Sequence, residues 1–523
     1  MKNLLLLLLL PFGLMAQNNV LFSVTGALQP TSVDIRVKLT DTTSVVRAAL
    51  STSNPPVAPF IYSNTATALE NTSKIAALQV SGLQPNTTYY YQIEANGVAD
   101  TRAEAIATFK TPSEGAYSFV FMAGSCNREP NTNTYDDFLG YNPLFYLNTG
   151  DLHYADPNSA DVNVHKNAYE DRIFSRPKQV SLLRNLPLAY VWDDHDYCGN
   201  SDDGQDVAGA ISAGKAYHEY FPHYEFPQRS GTDTNAIYHA FTIGRVRFIM
   251  SDMRSQRERG SSASAMGAAQ KQWFKNELIQ AKNNKQLICW VSSYSWYGTL
   301  DDNWRLNTGE RRELSEFMRD NAIENMFIIN GDAHMFAIDN GTNGDFTDAQ
   351  NLPYLYPVLQ AGPIENNGSF KGGTYSEGTF YQFFIKAAQY GVVRVDDNGS
   401  DSICVTLEGY KKDLNNGNTS QLVTYSFCRK IGLPLSTSFE KQTNLPIVQI
   451  QPNPSKGIFT LKAKINEPVE VEVWNAEGRL VAKNQIKADE QFQLDLSHLA
   501  SGVYTLNAET GKAKSQSKLV IQK

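Results

Sequence analysis

The stretch Leu144-Phe-Tyr-Leu-Asn-Thr-Gly-Asp-Leu-His-Tyr154 joins a short apolar run to a glycine and three side chains that can bind a metal. Similar apolar runs recur between residues 115 and 430, where they alternate with stretches of helical spacing at 167–184 and 268–282. Alternation of strands and helices predicts an α/β core whose sheet faces are covered by other elements.

Five apolar runs of this region, including the one quoted above, are followed by side chains that can bind metals or phosphate. The ends are Gly124-Ser-Cys126-Asn, Gly150-Asp-Leu-His-Tyr154, Asp193-Asp-His-Asp196, Asp252-Met-Arg254 and Gly331-Asp-Ala-His334. Open α/β sheets bind ligands at the carboxyl ends of their strands, and a glycine before the ligand lets the backbone turn sharply. Together these ends predict a metal site. The alternative is a set of ordinary strand-end turns and caps.

The ligand types indicate which metals suit this site. Cys126 as thiolate, Tyr154 as phenolate and His334 as imidazole suit a redox-type transition metal, and the two anionic ligands stabilise a ferric charge. Asp194 and Asp332 offer hard oxygen atoms, which suit Ca²⁺ or Mg²⁺ better than zinc.

Several roles stay open among the acidic residues. Asp151 is expected to bridge two cations, which together would clamp a phosphoryl group. Asp193 is the alternative to Asp194 as a ligand. Asp196 either orients His195 or touches metal, and Arg257 either contacts substrate or forms a salt bridge.

Composition and charge exclude several classes of protein. The chain has 523 residues with 46 Lys and Arg against 54 Asp and Glu, a net charge of −8. That balance argues against a general nucleic-acid binder, which needs a basic face. A hydrophobic content of 41% argues against wholesale disorder. The only long apolar run lies at the start, so a polytopic membrane protein is excluded.

Both flanks differ from the α/β region. Residues 1–16 have the positive charge, apolar run and small final residue of a signal peptide, so we expect no transmembrane segment after its cleavage. Residues 17–112 have an all-β pattern, and Leu83-Gln-Pro-Asn-Thr-Thr-Tyr89 resembles the tyrosine corner of a fibronectin type III-like β-sandwich.

The C-terminal residues 446–523 are β-rich and follow a predicted linker at 431–445. Gln451-Pro-Asn-Pro-Ser-Lys-Gly-Ile-Phe-Thr-Leu461 and Leu494-Asp-Leu-Ser-His-Leu-Ala-Ser-Gly-Val-Tyr-Thr-Leu506 resemble the sorting domain of type IX secretion substrates. The resemblance implies an Ig-like β-sandwich and export through Sec, a periplasmic transit and the type IX secretion machinery. The protein would be secreted or held at the cell surface. An adhesive Ig-like module is the alternative.

The motifs of the central region resemble the metallophosphoesterase superfamily and, within it, the PhoD-like alkaline phosphatases. Gly124-Ser-Cys126-Asn is similar to that family's iron-binding cysteine motif. Two superfamily motifs have the substitutions that are typical of the PhoD-like members, in Trp192-Asp-Asp-His-Asp196 and Gly331-Asp-Ala-His334. Asp252-Met-Arg-Ser-Gln-Arg257 resembles its Asp-x-Arg-x-x-Arg stretch. The resemblance covers roughly residues 115–430 and implies a layered α/β/β/α-like sandwich.

The resemblance also implies the cofactors and the site residues. Fe³⁺ would be held by Cys126, Asp151, Tyr154 and His334. Ca²⁺ would be held by Asp151, Asp194 and Asp332. His195 would contact phosphate or protonate the leaving oxygen, and Arg254 would pair with the non-bridging oxygens through its guanidinium fork.

These residues lead to the functional hypothesis. We expect a secreted hydrolase of small phosphate esters, of the alkaline phosphatase D type, in which metal-bound hydroxide attacks phosphorus. One alternative is a phosphodiesterase or phospholipase D-like enzyme on the same metals. Another is a secreted binding protein with a degenerate enzyme domain. Whether Cys404 and Cys428 pair across a hairpin also stays open, because five cysteines permit several pairings.

Overall fold

The computed structural model describes residues 19–523 except 101, 103, 130–131, 205–206, 229–234, 299–301, 382–385, 433–447, 465–466, 476–478, 489 and 511–513. The predicted signal peptide and residues 433–445 of the predicted linker lie outside the described residues. The chain divides into two compact units, Met1–Pro434 and Leu435–Lys523.

Strands cover the N-terminal region, as its all-β pattern predicts. They are β1 (Val20–Gln29), β2 (Ser32–Leu39), β3 (Val45–Ser51), β4 (Ile61–Tyr62), β5 (Ala66–Thr67), β6 (Ile75–Ser81), β7 (Thr88–Ala95), β8 (Val98–Ala99) and β9 (Ala107–Lys110). Strands β4, β3, β7 and β8 form one sheet, to which β5 and β9 are added. The Gln84 amide donates to the Tyr89 hydroxyl at 2.8 Å, which is the turn contact expected of the Leu83–Tyr89 stretch.

The strands of the α/β core follow in chain order. They are β10 (Phe119–Gly124), β11 (Tyr146–Asn148), β12 (Leu188–Tyr190), β13 (His239–Ile243), β14 (Val246–Ser251), β15 (Leu287–Ser292), β16 (Met326–Asn330), β17 (Phe336–Asp339), β18 (Val358–Gln360), β19 (Asn366–Asn367), β20 (Gly378–Phe380), β21 (Lys386–Ala387), β22 (Gln389–Asp396), β23 (Ser402–Lys412) and β24 (Thr419–Lys430). Every apolar run that precedes a predicted ligand forms one of these strands.

Most of these strands form two large sheets. The first has the order β24-β23-β22-β10-β11-β12-β1-β2-β6 and the second has the order β13-β14-β15-β16-β18-β17-β20. Strands β10, β11 and β12 are mutually parallel, and so are β14, β15, β16 and β18. In the first sheet, β1 pairs in parallel with β12 at Gly26 and Leu188, so the N-terminal strands extend the core sheet.

The two sheets face each other across one hydrophobic core. Phe121 of β10 stacks on Phe145 at 4.9 Å, and the ring of Phe248 on β14 meets both rings edge-on at 5.4 Å. On the outer face of the second sheet, Phe274 packs against Trp290 at 4.7 Å. Aromatic side chains from both sheets thus fill the space between them.

Helices lie between many of these strands in the chain. They are α1 (Val162–Tyr169), α2 (Pro177–Asn185), α3 (Asp194–Tyr197), α4 (Ala210–Tyr220), α5 (Gly267–Asn283) and α6 (Thr308–Asp320), with 3₁₀ turns at Glu70–Thr72, Asn133–Tyr141 and Trp304–Asn307 and a π turn at Glu170–Phe174. The helix expected at 268–282 is confirmed as α5. The stretch 167–184 is instead broken before Pro177, because a residue that precedes proline disfavours the α conformation and Arg176 is extended at φ −108°.

The C-terminal unit is all-β. Its strands are β25 (Val448–Gln451), β26 (Ile458–Ala463), β27 (Val469–Trp474), β28 (Leu480–Ile486), β29 (Gln491–Asp495), β30 (Gly502–Glu509) and β31 (Lys514–Ile521). One sheet has the order β25-β26-β29 and the other has the order β28-β27-β30-β31, both antiparallel. Apolar side chains of both sheets, including Phe459, Val471 and Leu506, share one core.

The cysteines separate into bonded and free groups. Cys404 and Cys428 face each other across β23 and β24 and form a disulfide, which settles the pairing that the sequence left open. Cys126, Cys198 and Cys289 are free and buried. Of these free thiols, only that of Cys126 belongs to the groups of metal-capable side chains found in the described residues.

Candidate metal centre

Strand ends from both sheets converge on one cluster. Cys126, Asp151 and His334 offer a sulfur, an oxygen and a nitrogen atom that lie within 4.8 Å of one another. The Tyr154 hydroxyl donates to Asp151 Oδ2 at 2.7 Å and lies 2.9 Å from His334 Nε2. The four residues expected to hold iron are therefore neighbours, although β10 and β11 belong to one sheet and β16 to the other.

A second group of carboxylates shares Asp151. One oxygen atom from each of Asp151, Asp193, Asp194 and Asp332 lies within 4.8 Å of the others. Asp194 accepts the backbone amides of His195 at 2.9 Å and Ser201 at 2.6 Å, one on each oxygen. Asp193 accepts from Ser293 Oγ at 3.1 Å on Oδ1, and its Oδ2 is buried without a hydrogen-bond partner. Both adjacent aspartates thus lie in the cluster.

The backbone at the expected ligands has an unusual conformation. Cys126, Asp151, Asp332 and His334 have φ angles of 57°, 54°, 63° and 51°. Residues other than glycine rarely adopt positive φ, and such conformations concentrate at functional sites. The four side chains are therefore held in place by turns that the surrounding fold must stabilise.

Two glycines allow these turns to pack closely. Gly150 has a φ of 104°, and a Cβ atom there would lie 2.5 Å from the Cβ of Asp193. A Cβ atom on Gly331 would lie 2.3 Å from the carbonyl oxygen of Thr149. Gly150 thus matches the expected sharp turn. Gly331 is needed for a different reason, because it lets the loops of the two sheets touch.

The buried acidic groups fit a cation. Asp151 Oδ1, Asp193 Oδ2 and Asp332 Oδ2 are buried and have no hydrogen-bond partner. Buried polar atoms are normally paired, and a buried anion without a partner is costly. Since these oxygens belong to one group of carboxylates, positive ions bound among them would supply the missing partners.

The pKa directions agree with this interpretation. Burial, followed by the charges of Asp194 and Asp193, raises the pKa of Asp151 well above its usual range. Burial also raises the pKa of Asp193 to about 7 and that of Asp332 to about 6. The pKa of the Cys126 thiol is raised by burial and by Asp151. A bound cation would lower all of these values, so metal binding would release protons.

His195 has a partner that the sequence did not reveal. Its Nδ1 lies 2.5 Å from Asp156 Oδ1, and its ring packs on that of Tyr154 with centroids 4.0 Å apart. Asp196, the partner considered from sequence, instead accepts the backbone amides of His153 at 3.0 Å and Asp193 at 3.2 Å. Asp196 therefore shapes the loops behind the site.

Arg254 belongs to a buried group of charges. Its Nε donates to Asp193 and its Nη1 donates to Asp302 at 3.1 Å, while Arg257 Nη1 donates to Asp302 at 2.8 Å. The side chains of both arginines and of Asp193 are 0% exposed, and that of Asp302 is 8% exposed. Tyr294 lies beside them and its hydroxyl accepts from Arg257. We call Asp193, Arg254, Asp302 and Arg257 the inner network.

Lys371 contacts the cluster from the loop between β19 and β20. Its Nζ donates to Asp332 Oδ1 at 2.6 Å, and its side chain is 29% exposed. The His195 side chain is 14% exposed and that of Asp156 is 50% exposed. We call Asp156, His195 and Lys371 the outer rim. Asn366 and Asn367, which contact the His334 ring, line a neighbouring cavity of about 310 Å³.

Sequence analysis missed Asp156, Asp302 and Lys371. Asp156 lies two positions after Tyr154, and Lys371 lies in the glycine-rich stretch Gly368-Ser-Phe-Lys-Gly-Gly373, but neither follows an apolar run. Their only local signal is a charged residue within a loop, which many surface turns share. His153, which lies between Asp151 and Tyr154 in the chain, is buried outside the metal-capable groups of the described residues.

Two family models match the chain. The PhoD-like phosphatase model matches residues 119–400, and the secretion system C-terminal sorting domain model matches residues 449–522. These two matches confirm the family resemblances of the central and C-terminal regions. In the described residues, helices fall short of the length and apolar character that crossing a membrane requires.

The chain spans about half the length of the curated relatives it matches. Alkaline phosphatase D of Bacillus subtilis (strain 168) is 23% identical over 312 residues, covering 49% of this chain and 52% of the relative. Purple acid phosphatase 15 of Arabidopsis thaliana is 19% identical over 306 residues, covering 55% of this chain and 51% of the relative. A solved structure titled "Structure of PhoD" has a TM-score of 0.63 at 15% identity and covers 79% of this chain and 90% of that one. The structural likeness establishes the fold.

Proposed function

Because the chain belongs to the PhoD-like phosphatase family, we propose that it is a secreted, metal-dependent hydrolase of small phosphate esters of the alkaline phosphatase D type. The observation that carries the proposal is the group of buried carboxylates around Asp151, three of whose oxygens lack a hydrogen-bond partner. Such a group can bind cations, and cations can bind a phosphate.

The donor sets support one position with sulfur, nitrogen and oxygen ligands and one position with oxygen ligands alone. Cys126, Asp151, Tyr154 and His334 would hold Fe³⁺, because their thiolate, phenolate and imidazole groups suit a transition metal. Asp151, Asp194 and Asp332 would hold Ca²⁺ through oxygen atoms alone, and Asp193 offers a further oxygen. When bound, these cations supply Lewis-acid charge for the phosphate and lower the pKa of coordinated water.

His195 would protonate the leaving oxygen. Asp156 accepts the Nδ1 proton, which directs Nε2 away from that carboxylate and leaves it available to the ester. Packing on the Tyr154 ring fixes the plane of the imidazole. General acids positioned in this way contribute about 10²- to 10⁴-fold to turnover.

The proposed contact between Arg254 and the phosphate remains a prediction. In the structure its guanidinium donates to Asp193 and Asp302 and is fully buried. These contacts support a second role for Arg254, which is to hold Asp193 beside the cations and to compensate its charge.

The flanking regions support export. The sorting-domain match at 449–522 implies the type IX secretion machinery, so we propose a secreted or cell-surface enzyme that first passes through Sec with residues 1–16 as signal peptide.

The N-terminal strands with their Tyr89 corner support a fibronectin type III-like sandwich. The two-sheet C-terminal unit supports an Ig-like sandwich.

A paired hydrolysis assay tests the proposal. Purified protein supplied with iron and calcium is given an aryl phosphate monoester and the matching diester, with and without chelator. We expect chelator-sensitive hydrolysis, with the monoester preferred. A preference for the diester would indicate the phosphodiesterase alternative, and no hydrolysis by metal-loaded protein would contradict the enzyme assignment.

A pair of variants assigns the activity to the cluster. Asp151→Asn should reduce turnover at least about 100-fold, because it removes the carboxylate shared by both metal groups. Asp320→Asn removes the same charge from a side chain that is 62% exposed on α6 and should leave turnover unchanged. Wild-type turnover in Asp151→Asn would contradict the site assignment.

A further inference from the structure

Lys371 is placed at the metal centre by a loop that is tied to a ligand-bearing turn. The Ser369 amide donates to the carbonyl oxygen of His334 at 3.0 Å, and Ser369 Oγ donates to that of Ala333 at 2.7 Å. Lys371 follows two residues later and reaches Asp332 of the same turn at 2.6 Å. Its ammonium group is therefore positioned by the residues that position Asp332 and His334.

Lys371 differs from the other cations near the carboxylates. Arg254 and Arg257 are fully buried, and carboxylates of the inner network accept from both of them. Lys371 is 29% exposed and has one described ion-pair partner, Asp332, although the charges of Asp302 and Asp194 also act on it. Part of the Lys371 side chain is thus in contact with solvent, unlike the side chains of the two arginines.

We propose that Lys371 binds a non-bridging oxygen of the substrate phosphate and of the inorganic phosphate product. The inference rests on the proposed function, which places a phosphate at the carboxylate cluster. Lysine acts on phosphate as a compact point charge with three donors, and its flexible side chain can follow the ligand. Phosphoryl transfer also depends on such cations, because negative charge spreads over the transferred oxygens.

Charge compensation explains how the Lys371 ammonium group can contact Asp332 without metal and a phosphate once metal is bound. In the described structure Lys371 supplies a positive partner to Asp332, whose second oxygen is unpaired. A cation bound to that carboxylate would take over the compensation of its charge. The ammonium group would then be free to donate to an anion at the rim. Lys371 would thus bind the phosphate group of the substrate or of the product only when the site holds its metal ions.

Binding of inorganic phosphate tests the proposal directly. Titration calorimetry measures the affinity for phosphate in iron-loaded protein supplied with calcium, and separate titrations and metal analysis measure calcium affinity and iron content. The variants are Lys371→Met, Lys371→Arg and the control Lys275→Met. Lys275 is a matched control because it also forms a 2.6 Å ion pair, with Glu313, and its side chain is 18% exposed.

Lys371→Met should weaken phosphate affinity roughly 10- to 100-fold, the range for a hydrogen bond between charged groups. Calcium affinity should not fall, because Lys371 competes with the cation for Asp332, and iron content should stay near wild type. Lys371→Arg should retain most of the phosphate affinity, and Lys275→Met should retain all of it. The inhibition constant of phosphate in the aryl phosphate assay should rise in parallel for Lys371→Met.

Two results would overturn the inference. One is wild-type phosphate affinity in Lys371→Met. The other is a loss of calcium or iron that accounts for the loss of phosphate binding, because Lys371 would then only arrange the ligands. Failure of the wild type to hydrolyse phosphate esters would instead contradict the proposed function, and the calorimetric comparison would still decide whether Lys371 binds phosphate.

Discussion

The inner network and the outer rim use the same chemical pairs in different surroundings. In the inner network, Arg254 and Asp193 meet with both side chains 0% exposed. In the outer rim, Lys371 meets Asp332 with the lysine 29% exposed, and His195 meets an Asp156 that is 50% exposed. A carboxylate beside a basic side chain is thus fully buried in the inner network and partly accessible in the outer rim.

The difference follows from solvation. Removing one partner of a buried pair leaves a charge that water cannot reach, whereas an exposed pair is screened and contributes little to stability. We therefore expect substitutions of the inner network to lower stability first and activity as a consequence. Substitution of the exposed carboxylate Asp156 should change the chemistry and leave stability almost unaltered.

The largest effect is expected for Arg254→Met. Asp193 and Asp302 would each lose a buried partner, and breaking such pairs costs about 3–5 kcal/mol. Denaturant unfolding followed by tryptophan fluorescence measures the change. Arg312→Met is the matched control, because the Arg312 side chain is 50% exposed and its pair with Asp348 should contribute less than about 1 kcal/mol. Equal unfolding curves for the two variants would refute the distinction.

An intermediate effect is expected for Asp156→Asn. An amide accepts the His195 Nδ1 proton less strongly than a carboxylate does, so the ring is held less firmly. We expect kcat/KM to fall roughly 10- to 100-fold, which is part of the rate contribution of a general acid. The loss should be larger for esters with poorer leaving groups, because these need the proton most. Unfolding should be unchanged. Asp202→Asn is the control, because the Asp202 carboxylate accepts from Asn158 at 3.0 Å. A uniform loss across leaving groups, or the same loss in this control, would argue against a positioning role.

The smallest effect concerns pH. Burial raises the pKa of Asp193 to about 7 and that of Asp332 to about 6, above the ordinary 3.8. Between pH 3.8 and these values the metal-free folded state therefore binds more protons than the unfolded state. The stability that these bound protons contribute is lost as pH rises through 6 and 7.

Bound cations keep the carboxylates ionised, so the gain in Tm on adding calcium should be a few degrees larger at pH 8 than at pH 5.5. Thermal unfolding with calcium or with chelator at both pH values measures this difference. A calcium-dependent gain that does not vary with pH would show that these carboxylates do not take up protons in the metal-free protein.

Sequence analysis could predict the residues that directly follow strands. Cys126, Asp151 and His334 each follow an apolar run with a glycine in between, and parallel strands bring such ends to one edge. The tyrosine three positions after Asp151 was predicted by the same local motif. Cys126, Asp151 and His334 form one metal-capable group because the strands that precede them end close together.

The partners of these residues could not be predicted in the same way. Asp302 precedes a short 3₁₀ turn, and Lys371 lies in a loop between β19 and β20, so periodicity does not limit where either side chain goes. Their contacts depend on how two separate sheets face each other. The division of the cations into buried and exposed ones is for the same reason a property of the tertiary structure.

The parallel pairing of β1 with β12 links residues that are far apart in the chain, with Gly26 opposite Leu188. Contacts of such long range slow folding, since a long loop must close before the pair forms. The N-terminal strands would wait during synthesis for β12 to emerge. A shortened chain that begins at residue 115 would leave the edge of β12 open and prone to aggregate through strand addition. The N-terminal strands therefore cover an edge of the sheet that contains β10 and β11, the strands before Cys126 and Asp151.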